Sequence, residues 1–340
     1  MNWYVKRTGQ ALFTLWAVTT IAFVLTRLMP GDAVSRRVDT ITRNMQGSIN
    51  REQIRERVTS QLIVDPDAPM GEAYVTYMSE LLSGNLGYSI SADQGLNGLM
   101  ADTVPWTLFV MSLATFGLFA IALGLGAIQA YKEGSIFDLS NTVIGMATTS
   151  IPYYVAGILL IIYVGYSDAL IFEWFPVRNR LPAEVDPGFT LEFVSGALAH
   201  ATLPALSYVL TAYGLLALSM RGNSIQILGE DYVRVAELRG LPERRIALRY
   251  VGRNAILPMY TSLLLSIGFM LGASVILEQI FAYQGVGYWM NQAIQDMDSA
   301  LMMAIFLMIT VSVVIAMFLA DLTYGFLDPR IKSGDEGEAY

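Results

Sequence analysis

The chain has 340 residues, of which 54% are apolar and 15% charged, and a formal net charge of −8. Soluble domains hold roughly 45–50% apolar and about 25% charged residues, and here the apolar residues lie in long runs, so a string of soluble domains is excluded. Cysteine is absent and His200 is the one histidine, which removes disulfide frameworks, thiol catalysis and multi-histidine metal sites, while the acidic balance argues against nucleic acid as a partner.

Six stretches are apolar for long enough to cross a bilayer, near 8–29, 104–130, 139–165, 198–219, 256–280 and 301–327. Crossing about 30 Å of hydrocarbon takes roughly 20 residues at 1.5 Å each. Backbone amides in lipid must find partners within their own segment, so these runs are helices. Strands of a membrane barrel would alternate over about ten residues, and none of these runs alternates. The expected fold class is therefore an all-α integral membrane protein with about six transmembrane helices.

The first run continues into Thr26-Arg27-Leu28-Met29-Pro30 with no small-x-small cleavage pattern. Its apolar core is also too long for a signal peptide, so it reads as a retained helix with Arg27 snorkelling at its end. Residues 30–103 are polar. Asn50-x-x-Gln53 resembles a capping box, followed by Ile54, Val58 and Leu62 on one helical face. A second helix is expected near 70–82, with Tyr74, Tyr77, Met78 and Leu81 on one face and Gly84 at its C-terminal cap. The plain reading of this segment is a small cap over the bundle; the functional one is a dock for a substrate-delivery protein.

Orientation follows from lysine and arginine in the short connections. Lys6, Arg7, Lys132, Arg221, Arg234, Arg239, Arg244, Arg245, Arg249, Arg253, Arg330 and Lys332 fall on one side, and only Arg178 and Arg180 on the other. That bias places both termini in the cytoplasm. Residues 30–103 carry six arginines of their own but exceed the roughly 60 residues over which the rule counts, and they face out. The expected organisation is a cytoplasmic N-terminus and first helix over 1–29, an extracellular segment over 30–103, a five-helix core over 104–327 containing the cytoplasmic loop 220–255, and a cytoplasmic tail over 328–340. The end of that tail, Gly334 to Tyr340, is acidic and reads as disordered.

No enzyme motif is present. G-x-x-x-x-G-K-[ST], H-E-x-x-H and G-x-S-x-G are all missing from the sequence. Asp321 and Glu278 lie within the sixth and fifth runs, and a membrane-embedded acid is a functional hypothesis by default. By the span placement they lie at opposite faces of the bilayer, which rules out a carboxylate dyad. His200 reads as an interfacial residue rather than a proton relay. Tyr153, Tyr154, Tyr163 and Trp174 fit helix packing or an interfacial belt better than a path lining.

The loop between the fourth and fifth runs is the most specific. Asp231 can cap a short helix and suits its positive end. Gly240 can take the left-handed conformation that stops that helix, with Leu241 packing back. Pro242 suits the first position of a following helix, and Glu243 its first turn. That second helix carries Arg244, Arg245, Arg249 and Arg253 into the fifth run. A helix of two turns is unstable alone and calls for a partner groove. The alternative is a basic surface against anionic lipid, against which the sharp start and stop signals argue.

The run Glu230-Asp231-Tyr232-Val233-Arg234, Ala236, Gly240-Leu241-Pro242 and Arg253-Asn254-Ala255-Ile256-Leu257-Pro258 resembles the signature loop of binding-protein-dependent ABC importer permeases, in their dipeptide/oligopeptide branch. Further blocks agree along the chain. They are Leu28-Met29-Pro30-Gly31-Asp32, Gly84-Asn85-Leu86-Gly87-Tyr88-Ser89, Lys132 to Asp138, Ile276 to Phe281, Gly285-Val286-Gly287, and Asp321-Leu322-x-Tyr324-Gly325-x-x-Asp328-Pro329-Arg330. Two positions depart from the pattern: Arg234 replaces a glutamate of other branches, and Gln284 a usual proline.

The resemblance is to the first of two permease subunits, and it implies the type I permease fold with an extracellular segment after the first helix. It implies as partners a second homologous permease, two cytoplasmic ABC ATPase subunits, an extracellular substrate-binding protein and the lipid bilayer. ATP and magnesium would be bound by the ATPase subunits, with no cofactor in this chain and no catalysis by it. Tyr232, Val235, Ala236 and Leu238 would supply ATPase contacts and helix packing, Gly240 the turn, and Arg253, Asn254 and Pro258 the link to the fifth run. Peptides are the substrate by resemblance, with oligosaccharides or nickel as alternatives. A secondary transporter, a channel or an inert scaffold is the reading from other classes. None of these needs the capped loop, and the halves show no matching repeat.

Overall fold

The computed structural model of the protein describes residues 3–29, 33–44, 51–65, 67–165 and 175–327. Pro30 to Asp32, Asn50, Trp174, Asp328 to Arg330, Lys332 and the acidic tail lie outside the described residues, as does the Asp321 side chain. The helices in chain order are α1 Trp3–Leu28, α2 Ala33–Asn44, α3 Arg51–Thr59, α4 Met70–Leu82, α5 Leu96–Tyr131 and α6 Ile136–Thr149. Then come α7 Tyr153–Gly165, α8 Leu191–Leu228, α9 Asp231–Leu238 and α10 Glu243–Ala255. The last are α11 Leu257–Ala273, α12 Val275–Ile280, α13 Val286–Asp296 and α14 Ser299–Leu327. The β-structure among the described residues is one antiparallel ladder pairing Tyr88 with Gly95 and Ser89 with Gln94.

Among the described residues, four helices are long and apolar enough to cross a membrane unbroken, within α1, α5, α8 and α14. With 36 and 38 residues, α5 and α8 run to about 54 and 57 Å, well beyond a hydrocarbon core of about 30 Å. Both therefore extend past the runs 104–130 and 198–219. The run 139–165, expected as one helix, is two: α6 and α7 meet at 93°. Pro152 is the reason. It has no N–H for a helix interior and disfavours a helical Ile151, and it sits instead at the N-cap of α7 with φ −59° and ψ 139°. The fifth run, 256–280, is also interrupted: Ser274, whose hydroxyl donates to the Leu271 carbonyl at 3.3 Å, separates α11 from α12. Just before the run, α10 meets α11 at 52°. The count of six spans holds when each bent pair is taken as one.

The described residues sort into two compact units. One is drawn from Met1–Leu108, Leu271–Gln279 and Gln284–Val314. Its core includes Leu96, Leu99, Leu271, Val286, Leu301 and Ile305. The expected face of α4 is the packed one: Tyr74, Tyr77, Met78 and Leu81 cluster with Phe23 of α1. Phe23 stacks on Tyr77 at 5.4 Å, and the Trp16 indole N–H donates to the Tyr74 hydroxyl at 3.1 Å. Burial pushes the Tyr77 hydroxyl up to about 12. Gly84 ends α4 as expected. At φ +85° it donates to the Leu81 carbonyl at 3.0 Å while the next N–H, of Asn85, reaches the Glu80 carbonyl at 2.9 Å, the paired bonds of a Schellman turn. Ile54 and Val58 are buried with Leu62 packed against them, and the unforeseen α2 contributes Val34 and Val38 to the same cluster.

The second unit is drawn from Phe109–Met270, Ile280–Tyr283 and Ile315–Tyr340. Here α6 crosses α8 glycine to glycine. A Cβ on Gly145 would stand 2.9 Å from the Gly214 Cα, and a Cβ on Gly214 would fall within the Gly145 backbone. Without a hydrophobic force between helices in lipid, such close approach by small residues is the main source of packing. Gly214→Ala should therefore force the helices apart and destabilise the protein by about 1–3 kcal/mol. Gly222→Ala, on the same helix with open space around it, should be neutral or slightly stabilising. Thermal unfolding of the purified variants in detergent checks the contrast: a Gly214→Ala midpoint equal to that of Gly222→Ala would contradict the crossing.

Candidate functional site

The site is built on the chain between α8 and α11. After α8, Glu230 takes the N-cap position with extended backbone and makes no side-chain capping bond. Asp231, expected as the cap, is instead the first residue of α9, where its carboxylate meets the positive end of the helix dipole. Val233 and Ala236 are buried against Ile246 and Val251 of α10. This packing supports an eight-residue helix that would not persist alone.

Gly240 ends α9 with φ +69°. Its N–H donates to the Glu237 carbonyl at 2.8 Å, and the Leu241 N–H to the Ala236 carbonyl at 3.3 Å. Leu241 then packs against the cluster that holds α9. This is the stop the sequence predicted, complete to the apolar contact. Pro242 differs by one position. With ψ 138° it is the N-cap of α10 rather than its first helical residue, and its carbonyl accepts from the Arg245 and Ile246 N–H groups at 2.8 and 3.2 Å. The backbone leaving the left-handed turn is still extended at the proline, so the helix starts at Glu243. A π-helical run, Ile246–Gly252, follows inside α10; such runs are rare and cluster at functional sites.

This arrangement divides the predicted site residues. Ala236 packs inward, whereas Tyr232, Val235 and Leu238 are exposed at 40, 51 and 82%. These three, at spacings of three, form an apolar stripe on the outer face of α9, flanked by the exposed Arg234. Asn254 is brought to the site: its amide donates to the Tyr232 hydroxyl at 3.0 Å and to the Tyr250 carbonyl at 2.8 Å. Arg253 and Pro258 are exposed at the α10–α11 bend and belong to the link rather than to the stripe.

Sequence reasoning missed what ties α8 to α6. Asp138 is buried and receives Arg221 of α8 through both guanidinium arms, Nε to Oδ1 and Nη2 to Oδ2, each at 2.7 Å. The Gly134 N–H adds a bond at 3.0 Å, and Ser135 caps α6 by accepting from the Asp138 N–H at 3.3 Å. Bidentate arginine–carboxylate pairs of this kind are the strong and oriented ones. A lone acid opening one membrane run and a lone arginine closing the next were the available signal.

The other membrane-embedded polar residues have local roles. Glu278 is buried and accepts from the Thr107 hydroxyl at 2.6 Å and the Tyr288 N–H at 2.9 Å. The Val286 N–H in turn donates to the Thr107 hydroxyl oxygen at 2.8 Å. The acid thus satisfies the open N–H groups at the start of α13. His200 donates to the Gly196 carbonyl of its own helix at 2.8 Å. Tyr153 packs edge-on against Tyr154 and Tyr208, with ring centroids 6.0 Å apart in each pair.

Comparison with known proteins gives this geometry a family. Residues 120–333 match the family described as the binding-protein-dependent transport system inner membrane component. The chain is 31% identical to the di/tripeptide transport system permease protein DppB of Pseudomonas aeruginosa (strain UCBPP-PA14), covering 98% of this chain and 99% of that one. It is 28% identical to the dipeptide transport system permease protein DppB of Escherichia coli (strain K12), covering 98% and 99%. With the oligopeptide transport system permease protein AppB of Bacillus subtilis (strain 168) it shares 26% identity, covering 96% and 98%. A predominantly helical, multi-pass membrane chain, aligned almost end to end with transport permeases, belongs to the family of binding-protein-dependent transport system inner membrane components.

Proposed function

We propose that this chain is the first of two permease subunits of an ATP-driven importer, forming half of a membrane path for peptides. The observation that carries this reading is the outward apolar stripe Tyr232, Val235 and Leu238 on a helix fixed from behind by Val233, Ala236 and Leu241. An exposed apolar face held rigid by its own packing suits insertion into a preformed groove, because little ordering entropy is lost on docking. The occupant of that role is a cytoplasmic ATPase subunit. One such subunit serves this chain and a second serves the homologous permease.

Orientation supports this placement. The basic connections, α9 and α10 among them, lie on the cytoplasmic side, with both termini, and residues 30–103 face outward. An extracellular binding protein delivers the substrate there. ATP and magnesium belong to the ATPase pair. Its closure on ATP displaces α9 and opens the path outward, and hydrolysis resets it. Energy enters from the partner, consistent with a chain that carries no phosphate-binding loop. Peptides are proposed because the named relatives are peptide permeases.

The test is co-isolation from membranes of the native host in mild detergent. A second multi-span protein and ATPase subunits in stoichiometric amounts are expected; recovery of the chain alone under several gentle extractions would contradict the reading. Two variants sharpen it. Val235→Asp with Leu238→Asp alters exposed positions, so stability should change by no more than about 0.5 kcal/mol per site. ATPase recovery should fall roughly 10-fold or more, the loss of at least one buried apolar anchor. Gly240→Val places a β-branched residue at positive φ, a strain of about 1–3 kcal/mol. It should leave an inserted permease with lost uptake and weakened ATPase retention, and normal uptake would remove Gly240 from the turn's function.

A further inference from the structure

The contacts between α6 and α8 fall in a regular register. Asp138 meets Arg221, and Gly145 meets Gly214. Each pair sums to the same residue number, as antiparallel helices require, and the two pairs stand two turns apart, about 10.5 Å along each helix. A single close crossing would let two helices swivel about it. A glycine crossing and a bidentate ion pair two turns apart fix both the position and the angle.

The ion pair also gathers more than two helices. Besides Arg221, the Asp138 carboxylate accepts from the Gly134 N–H at 3.0 Å and from the Gln129 side-chain amide at 3.4 Å. The same amide reaches the Thr142 hydroxyl at 3.1 Å. One carboxylate therefore holds the last turn of α5, the α5–α6 turn and the first turn of α6 to a single point on α8. The Asp138 side chain is 6% exposed and that of Arg221 25%, so water competes weakly for the pair. Arg221 lies two turns before the C-terminal end of α8, and α9 begins at Asp231.

We propose that Asp138 and Arg221 are positioning residues for transport, a strut that makes α6 move with α8 whenever α9 is displaced. Through the strut, a push on α9 is delivered to α6 and on to the α6–α7 bend, rather than being absorbed by rotation of α8 against its neighbour. The role assigned to them is to hold α6 to α8, not to bind substrate. The proposal rests on the importer reading above.

The test uses the full complex reconstituted in proteoliposomes with its binding protein, comparing uptake, ATP hydrolysis and subunit content. In Asp138→Asn and in Arg221→Met, uptake should fall roughly 10-fold or more, the usual size of a coupling term, while the ATPase subunits stay bound and continue to hydrolyse ATP. Asp138→Arg combined with Arg221→Asp restores the ion pair but not the bonds from Gly134 and Gln129, and should recover part of the uptake relative to either single variant. Arg221→Lys keeps the charge without the two-armed geometry; it serves if the neutral variants fail to insert, and its uptake per ATP hydrolysed should be lowered. Wild-type uptake per ATP hydrolysed in the single variants would overturn the strut. So would a parallel loss of assembly, hydrolysis and uptake that the swapped pair does not reverse. A wild-type preparation containing no ATPase subunits overturns the importer reading itself, and is distinguished from both.

Discussion

In hydrocarbon, a backbone N–H or carbonyl without a partner costs several kcal/mol, and this one constraint organises the chain. It forces the apolar runs into helices, and it makes each departure from a straight helix require a local remedy. At the α6–α7 break Pro152 has no N–H to satisfy, and its carbonyl accepts from Val155 and Ala156 at 2.9 and 3.1 Å. At the start of α13 the open N–H groups meet the Glu278 carboxylate and the Thr107 hydroxyl. The exposed end of α9 is closed in the same way without that compulsion, by Schellman bonds through Gly240. The irregular points are accordingly where the unusual residues stand.

The same economy shapes the segment between α8 and α11. Eight residues of helix cannot be stable in isolation, so α9 depends on the α10 cluster beneath it and on a glycine stop behind it. That dependence leaves most of its outer face free of structural duty. Val235 and Leu238 are exposed and lie outside the cluster that holds α9, and Tyr232, whose hydroxyl accepts from Asn254, is aligned with them. An aligned apolar face beyond the packing core of a capped helix is the feature that a docking role explains and that a basic lipid-binding loop does not. Behind it, α8 is anchored to α6 by the glycine crossing and the Asp138–Arg221 pair, so α9 follows a stiff body rather than a tether.

Much of this was legible in the sequence because it is local. Gly240 and Gly84 announce left-handed stops, the apolar periodicity of 70–82 marks the packed face of α4, and Ile54, Val58 and Leu62 mark that of α3. Asp231 and Pro242 were each displaced by one position, since capping residue types tolerate neighbouring slots and tertiary packing chooses among them. What was not legible is the pairing of distant residues. Hydropathy alone reads 139–165 as one run, because Ile151 and Pro152 are apolar although the proline turns the backbone. Asp138 and Arg221 are far apart in sequence and appeared as one motif acid and one orienting charge. Glu278 read as a lone membrane acid because its partners, Thr107 and the α13 N-terminus, lie in other segments. The division between Ala236 facing inward and Val235 facing outward likewise needed the position of α10.

The most direct measurement exploits the cysteine-free sequence. Leu238→Cys places a single thiol on the exposed stripe, and Ala236→Cys places one on the buried face of the same helix. Native-host membranes carrying either variant are treated with a short thiol-to-amine cross-linker, and the products are identified by mass spectrometry. The account predicts that Leu238→Cys joins the chain to an ATPase subunit and that Ala236→Cys does not. A Leu238→Cys product formed only with a second copy of this chain, or no protein product while the thiol remains reactive, would contradict it.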